Sequence, residues 1–196
     1  MNIADTFPEI IQKNYEFFEW KHACAILKQD FSRELSDLLS LLIQFKLPES
    51  WITQKGGNKS ELAKWVDTFM GLRGWEEKQF KTSVIVDNHK MESPTHKIDC
   101  YKNRVALELE WNNKDPFFDR DLNNFRLLFD LRAISVGIIL TRSDELQNIF
   151  NALKKGSSYG NSTTHMSKLL PRIEGGGGGG CPILVVGMKK ELYFVD

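Results

Sequence analysis

The chain has no excess of either charge, few cysteines and no long apolar run, and each shortage narrows what it can be. Its 26 Lys and Arg balance 26 Asp and Glu, so there is no broadly basic coat for nucleic acid. Any polyanion site has to be made by segregating charge locally. The cysteines, Cys24, Cys100 and Cys181, are odd in number and scattered. Without Cys-x-x-Cys or Cys/His spacing they read as reduced thiols, Cys100 and Cys181 packed, and a zinc site is disfavoured. No stretch approaches the roughly 20 apolar residues that span a bilayer. The amino terminus, MNIADTFPEIIQKN, has no basic start followed by an apolar run, so a cytoplasmic protein without a membrane partner is expected. No internal repeat is visible. At 196 residues, a single domain over 1–196 is expected, since compact domains commonly hold about 100–200 residues.

What is present changes character along the chain. From Trp20 to Phe45, the residues Ile26, Phe31, Leu35, Leu38, Leu39, Leu42 and Phe45 recur at spacings of three and four, which predicts helix up to Pro48. Asn58 and Glu61 resemble a capping box opening a helix that carries Leu62, Trp65, Val66 and Phe69 before Gly71 and Gly74. Residues 1–75 are therefore expected to be mainly helical. Strands are predicted at 83–87, 95–100, 104–111 and 133–140, with a helix over 121–131 between the last two, so 83–140 reads as the core of the domain. A surface helix at 144–155, a loop, a short helix around SKLLPRI, six glycines (Gly175 to Gly180) and two small strands, PILVVGM and LYFV, follow. The fold class is α/β, a central mixed β-sheet flanked by helices.

The chemistry gathers at KIDCYKNRVALELEW, 97–111. In a strand over 104–111, Val105, Leu107, Leu109 and Trp111 share one face, and Ala106, Glu108 and Glu110 the other. Carboxylates that close repel each other unless a cation lies between them, and a divalent ion is the simplest remedy. Asp99 can join them if its strand pairs back through the turn at Tyr101 to Asn103. The plain alternative is an edge strand with a solvated acidic face. The following crossover helix and apolar strand argue instead for a central, covered strand, which rarely carries idle glutamates.

The array Asp99, Glu108, Leu109, Glu110 resembles the metal site of the PD-(D/E)xK nuclease superfamily, and most closely the BglII, BstYI and BamHI group of type II restriction endonucleases, in which Gln or Glu replaces the superfamily's usual lysine. WKHACAILKQDFSRELSDLLSLL, GWEEKQF, SVGIILTRSDEL and CPILVVG resemble further segments of that group. The resemblance implies a restriction-endonuclease-like core and a Mg2+-dependent, sequence-specific cleavage of double-stranded DNA by a homodimer at a palindrome with a GATC centre. It also implies a partner methyltransferase that protects the host genome. Asp99 and Glu108 would be metal ligands with the carbonyl of Leu109 a third. Glu110 would orient or deprotonate the attacking water. Glu77 is a fourth catalytic candidate, with Glu76 or Lys78 as alternatives. A structure-selective repair or recombination nuclease and a non-catalytic DNA-binding module are the competing readings.

DNA contacts are expected at Asn112, Asn113 and Lys114 after the acidic strand, because asparagine pairs bidentately with adenine. They are also expected in the 154–180 loops, at Ser158, Tyr159, Asn161, Ser162, Thr163, Thr164, His165, Lys168 and Arg172, a mixture suited to phosphates and base edges. The plain alternatives are an Asn-rich turn and a helix cap. The glycine run lacks a following Lys-Ser or Lys-Thr, so a P-loop is disfavoured and a flexible linker expected.

Overall fold

The computed structural model describes residues 3–54 and 59–196. Its amino-terminal part is helical as the periodicity predicts: α1 (Ile3–Thr6), α2 (Glu9–Asn14), α3 (Ala23–Asp30), α4 (Ser32–Gln44), α5 (Glu49–Thr53) and α6 (Glu61–Gly71). Trp20, expected to begin a helix, instead ends strand β1 (Tyr15–Trp20). Aromatic residues dominate this segment and favour a pleated surface. Tyr15 and Phe17 pack toward one side of the sheet, and Phe18 and Trp20 toward the other. The long helix expected beyond is broken at Phe31, whose φ of −130° and ψ of 44° separate α3 from α4. The expected cap Asn58 lies outside the described residues. Ser60 caps α6 instead, its hydroxyl accepting the Ala63 N–H at 3.2 Å.

After the two-residue β2 (Leu47–Pro48) and α6 come β3 (Glu76–Lys78), β4 (Ser83–Val86), β5 (His89–Glu92), β6 (Ile98–Lys102) and β7 (Val105–Glu110). Then follow α7 (Phe117–Asp130), β8 (Val136–Arg142), α8 (Leu146–Ala152), α9 (Met166–Glu174), β9 (Ile183–Met188) and β10 (Tyr193–Phe194). The central sheet has the order β1-β9-β8-β7-β6-β3. β7, β8 and β9 run parallel, while β1, β6 and β3 are antiparallel additions, giving the mixed α/β sheet expected. Its two faces are covered separately: Val105, Leu107 and Leu109 join the core formed with α3, α4, α6 and α8, while Ala106 joins Phe118, Leu122 and Phe125 of α7 and Leu169 of α9.

Two expectations are corrected. Residues 83–87 do not enter the central sheet: β4 pairs with β5 as a separate hairpin whose strand residues are all exposed. The glycine run is a packed turn rather than a flexible linker. Gly176 and Gly179 adopt φ of +89° and +56°, and a Cβ on Gly178 would lie 2.4 Å from Ile183. Backbone this close to a neighbour leaves room for hydrogen alone.

Candidate active site

Strand β7 lies between β6 and β8, which makes it central and disposes of the solvated-edge alternative. Glu108 is 1% and Glu110 2% exposed, both on the face that α7 covers. The registered pairing of β6 with β7 runs from Lys102↔Val105 to Cys100↔Leu107. Beyond it side chains carry the link: the Asp99 carboxylate accepts the Leu109 N–H at 2.9 Å, and the Glu108 carboxylate accepts the Asp99 N–H at 3.1 Å. Carboxylates thus take over ladder hydrogen bonds where the two strands part, and this brings Asp99 and Glu108 together.

Glu110 is held by different partners. Asn113 donates to its Oε2 at 2.8 Å and Arg120 Nη2 to its Oε1 at 3.2 Å. Asp121, fully buried on α7, binds the same guanidinium at 2.8 Å. Burial raises the proton affinity of Asp99 and Asp121. It raises that of Glu108 well above the carboxylate range, with the neighbouring Asp121 and Asp99 charges adding to it. Glu110 is pushed up to about 9 by burial and then by Asp121.

Asp99 and Glu110 line a cleft of about 660 Å³ whose wall also includes Trp51, Lys59 and Asp67 from the α5 and α6 region and Asn112, Asn113 and Arg120 after β7 and on α7, while Glu108 and Asp121 are buried outside its lining. Lys59 and Asp67 form an ion pair, and Lys59 also feels the Asp99 charge. Among the described residues no three acidic, histidine or cysteine side chains gather as a ready metal shell. The donors present nevertheless suit a hard cation. Glu108 Oε1 is buried without a partner, Asp99 stands beside it, and Mg2+ is commonly held by one or two carboxylates plus waters and substrate phosphate.

Other expected residues lie elsewhere. Glu77 on β3 is outside the cleft lining, its side chain 57% exposed and paired with Lys97 at 2.7 Å. Its neighbours Glu76 and Lys78 pair with each other. Asn112 and Lys114 are exposed, as are Ser158, Asn161 and Ser162. Tyr159, Thr163, Thr164 and His165 are buried and serve as scaffold: Arg142, at the end of β8, donates to the Tyr159 carbonyl and the Thr163 hydroxyl, both at 2.9 Å. Tyr159 stacks on Phe150. Lys168 and Arg172, expected as free cations, face Asp115 at 4.0 and 3.4 Å, and Arg172 also binds Asp119 at 2.9 Å.

The sequence reading missed Arg120, Asp121, Lys59 and Asp67. A signal existed for Asp121, since it falls on the same 3.6-period stripe as Phe118, Leu122, Phe125 and Leu128, where an acid is out of place. No comparable local signal marked Lys59 or Asp67.

No curated protein sequence gives a significant match to the chain. The family description "Restriction endonuclease BglII/BglIII" matches residues 15–188, from the first residue of β1 to the last of β9, and so takes in every strand of the central sheet. With that span matched over a buried acidic cleft, the chain belongs to the BglII/BglIII restriction endonuclease family and is a type II site-specific deoxyribonuclease.

Proposed function

We propose that the cleft is the cleavage site for double-stranded DNA and that Mg2+ is its working cation, held by Asp99 and Glu108 with the Leu109 carbonyl. The observation that carries this reading is Glu108 Oε1, a buried carboxylate oxygen with no partner, next to a second carboxylate at the foot of an open cleft. When bound, a divalent cation there supplies charge neutralisation at the phosphoryl oxygens and a lowered pKa for coordinated water.

The chain's own residues do the rest. Asp99 and Glu108 are kept in place by backbone N–H groups of the neighbouring strand. Glu110 orients or deprotonates the attacking water. Its burial makes the ionised carboxylate a stronger base than an exposed glutamate, and Asn113 and Arg120 hold its two oxygens. Asn112, Lys114, Ser158, Asn161 and Ser162, all exposed, form the face offered to DNA. In the wider reading, which rests on the BstYI and BamHI resemblance and its PD-(D/E)xK superfamily, the enzyme is a homodimer cutting both strands of a palindrome with GATC at its centre. A methyltransferase of matching specificity protects the host.

Incubation of the purified protein with unmethylated phage DNA should give discrete bands with Mg2+ and none with EDTA. Asp99→Ala and Glu108→Ala should each abolish the bands while circular dichroism stays that of the wild type. Full cleavage by either variant would remove Asp99 and Glu108 from the site.

A further inference from the structure

Asp121 reaches the acidic cluster from α7 rather than from the sheet. It sits on the apolar stripe of that helix, at 0% exposure, and its Oδ2 meets no donor. A buried carboxylate with an oxygen left over is costly, and an apolar residue would pack there with less penalty. Its bonds point to what it does instead. Asp121 Oδ1 accepts Arg120 Nε at 2.8 Å and lies 2.8 Å from Arg120 Nη2. Nη2 also reaches Glu110 Oε1 at 3.2 Å, and the guanidinium lies 4.3 Å above the Phe117 ring.

An arginine at the rim of a cleft has many rotamers available. This one is gripped by a carboxylate through its fork and stacked on an aromatic face, so little freedom is left to lose. We infer that Asp121 is a positioning residue for the cleavage reaction: by gripping Arg120 it holds the guanidinium on Glu110 and fixes the direction of the Glu110 carboxylate in the cleft. Asn113 fixes the other oxygen from the end of β7. Helix α7 thereby sets the aim of a group carried by the sheet, although Asp121 itself touches neither DNA nor the reacting atoms. The inference rests on the reading of Glu110 as the group that acts on water.

The test uses the purified full chain and a DNA duplex carrying a cut mapped from the wild-type digest of phage DNA, with Mg2+. Asp121→Asn, Arg120→Ala, the double variant and Glu110→Ala are compared by kcat, KM and melting temperature. Asp121→Asn should lower kcat by about 10- to 100-fold, the scale of a misplaced reacting group, with KM for the duplex little changed. The double variant should lose no more than Arg120→Ala alone, because both act through one contact. A purely structural Asp121 would shift the melting temperature, leave kcat unchanged and combine additively with Arg120→Ala, and that result overturns the inference. Should Asp121→Asn not fold, Arg120→Lys decides. It keeps the charge and loses the fork, so its kcat should fall to near the Arg120→Ala level, and wild-type kcat overturns the inference. Full activity in Glu110→Ala would sink the underlying reading of the site. An inactive Glu110→Ala beside a fully active Asp121→Asn would sink this inference alone.

Discussion

At the scale of single residues, the site keeps several carboxylates out of water with too few cations to balance them. Burial acts first on each of Asp99, Glu108, Glu110 and Asp121, and it disfavours the ionised form. At these four groups the folded chain therefore binds protons more tightly than the unfolded one. Between the ordinary glutamate value of 4.5 and the value of about 9 reached by Glu110, the folded state holds a proton that the unfolded state has released. Stability is thus fully present below that window and is lost as pH rises through it. In EDTA the melting temperature should fall across this range, and Glu110→Gln, which has no proton to lose, should flatten the decline. A differential-scanning-fluorimetry series with equal slopes for the two proteins would contradict this account. The same imbalance explains why a cation is needed for the groups to stay ionised together near neutrality.

At the scale of elements, the site depends on how closely α7 lies on the sheet. Gly137 on β8 makes that approach possible, since a Cβ there would stand 2.3 Å from Phe125 Cδ2, and the Phe125 ring is fully buried. Gly137→Ala should destabilise the protein by about 1–3 kcal/mol, the usual cost of overpacking a filled core. A lowered urea midpoint at unchanged slope would show it. Because α7 also carries Arg120 and Asp121, the folded fraction of this variant should cleave more slowly, linking packing to activity. The glycine turn after α9 also lies close to α7, where a Cβ on Gly177 would stand 3.1 Å from Leu122 Cδ1. Arg142, 1% exposed, ties the 159–165 loop to the end of β8. The loop can then present Asn161 and Ser162 while Thr163 and His165 stay inside.

At the scale of the whole molecule, a chain of zero formal net charge has to bind a polyanion. Several of its cations are committed to acids: Arg172 to Asp115 and Asp119, Lys97 to Glu77, and Lys102 to Asp37. Near the site stand Lys114 and the cleft cations Lys59, Lys64 and Arg120, the last three themselves paired with acids. DNA binding by the Asp99→Ala variant should weaken with salt at about 0.9 log units in affinity per log unit of salt for each phosphate contacted. Lys114→Ala should reduce that slope by about one contact. Fluorescence anisotropy across a salt series measures both, and a flat response would place the DNA on another surface.

Strand β7 was legible because a period-two pattern within 104–111 puts Ala106, Glu108 and Glu110 on one face whatever lies around it, and a helix followed by an apolar strand marks that strand as interior. Much of the amino-terminal helix pattern and the α7 crossover were readable for the same local reason. β1 was not, because aromatics on both of its faces blur the alternation that identifies a half-buried strand. The exposed β4–β5 hairpin and the packed glycine turn also escaped, since β-branched residues and glycines state what a backbone can do and not what it will meet. Composition and periodicity determined the class of fold and the acidic pair on one face of β7, because these depend on neighbours in the chain, while Asp99 joined them only through the pairing of β6 with β7. The grip of Asp121 and Arg120 on Glu110, the approach of Lys59 and Asp67 across the cleft and the burial of Thr163 and His165 came from packing alone. Those contacts join residues distant in sequence, and they exist only once the helices close on the two faces of the sheet.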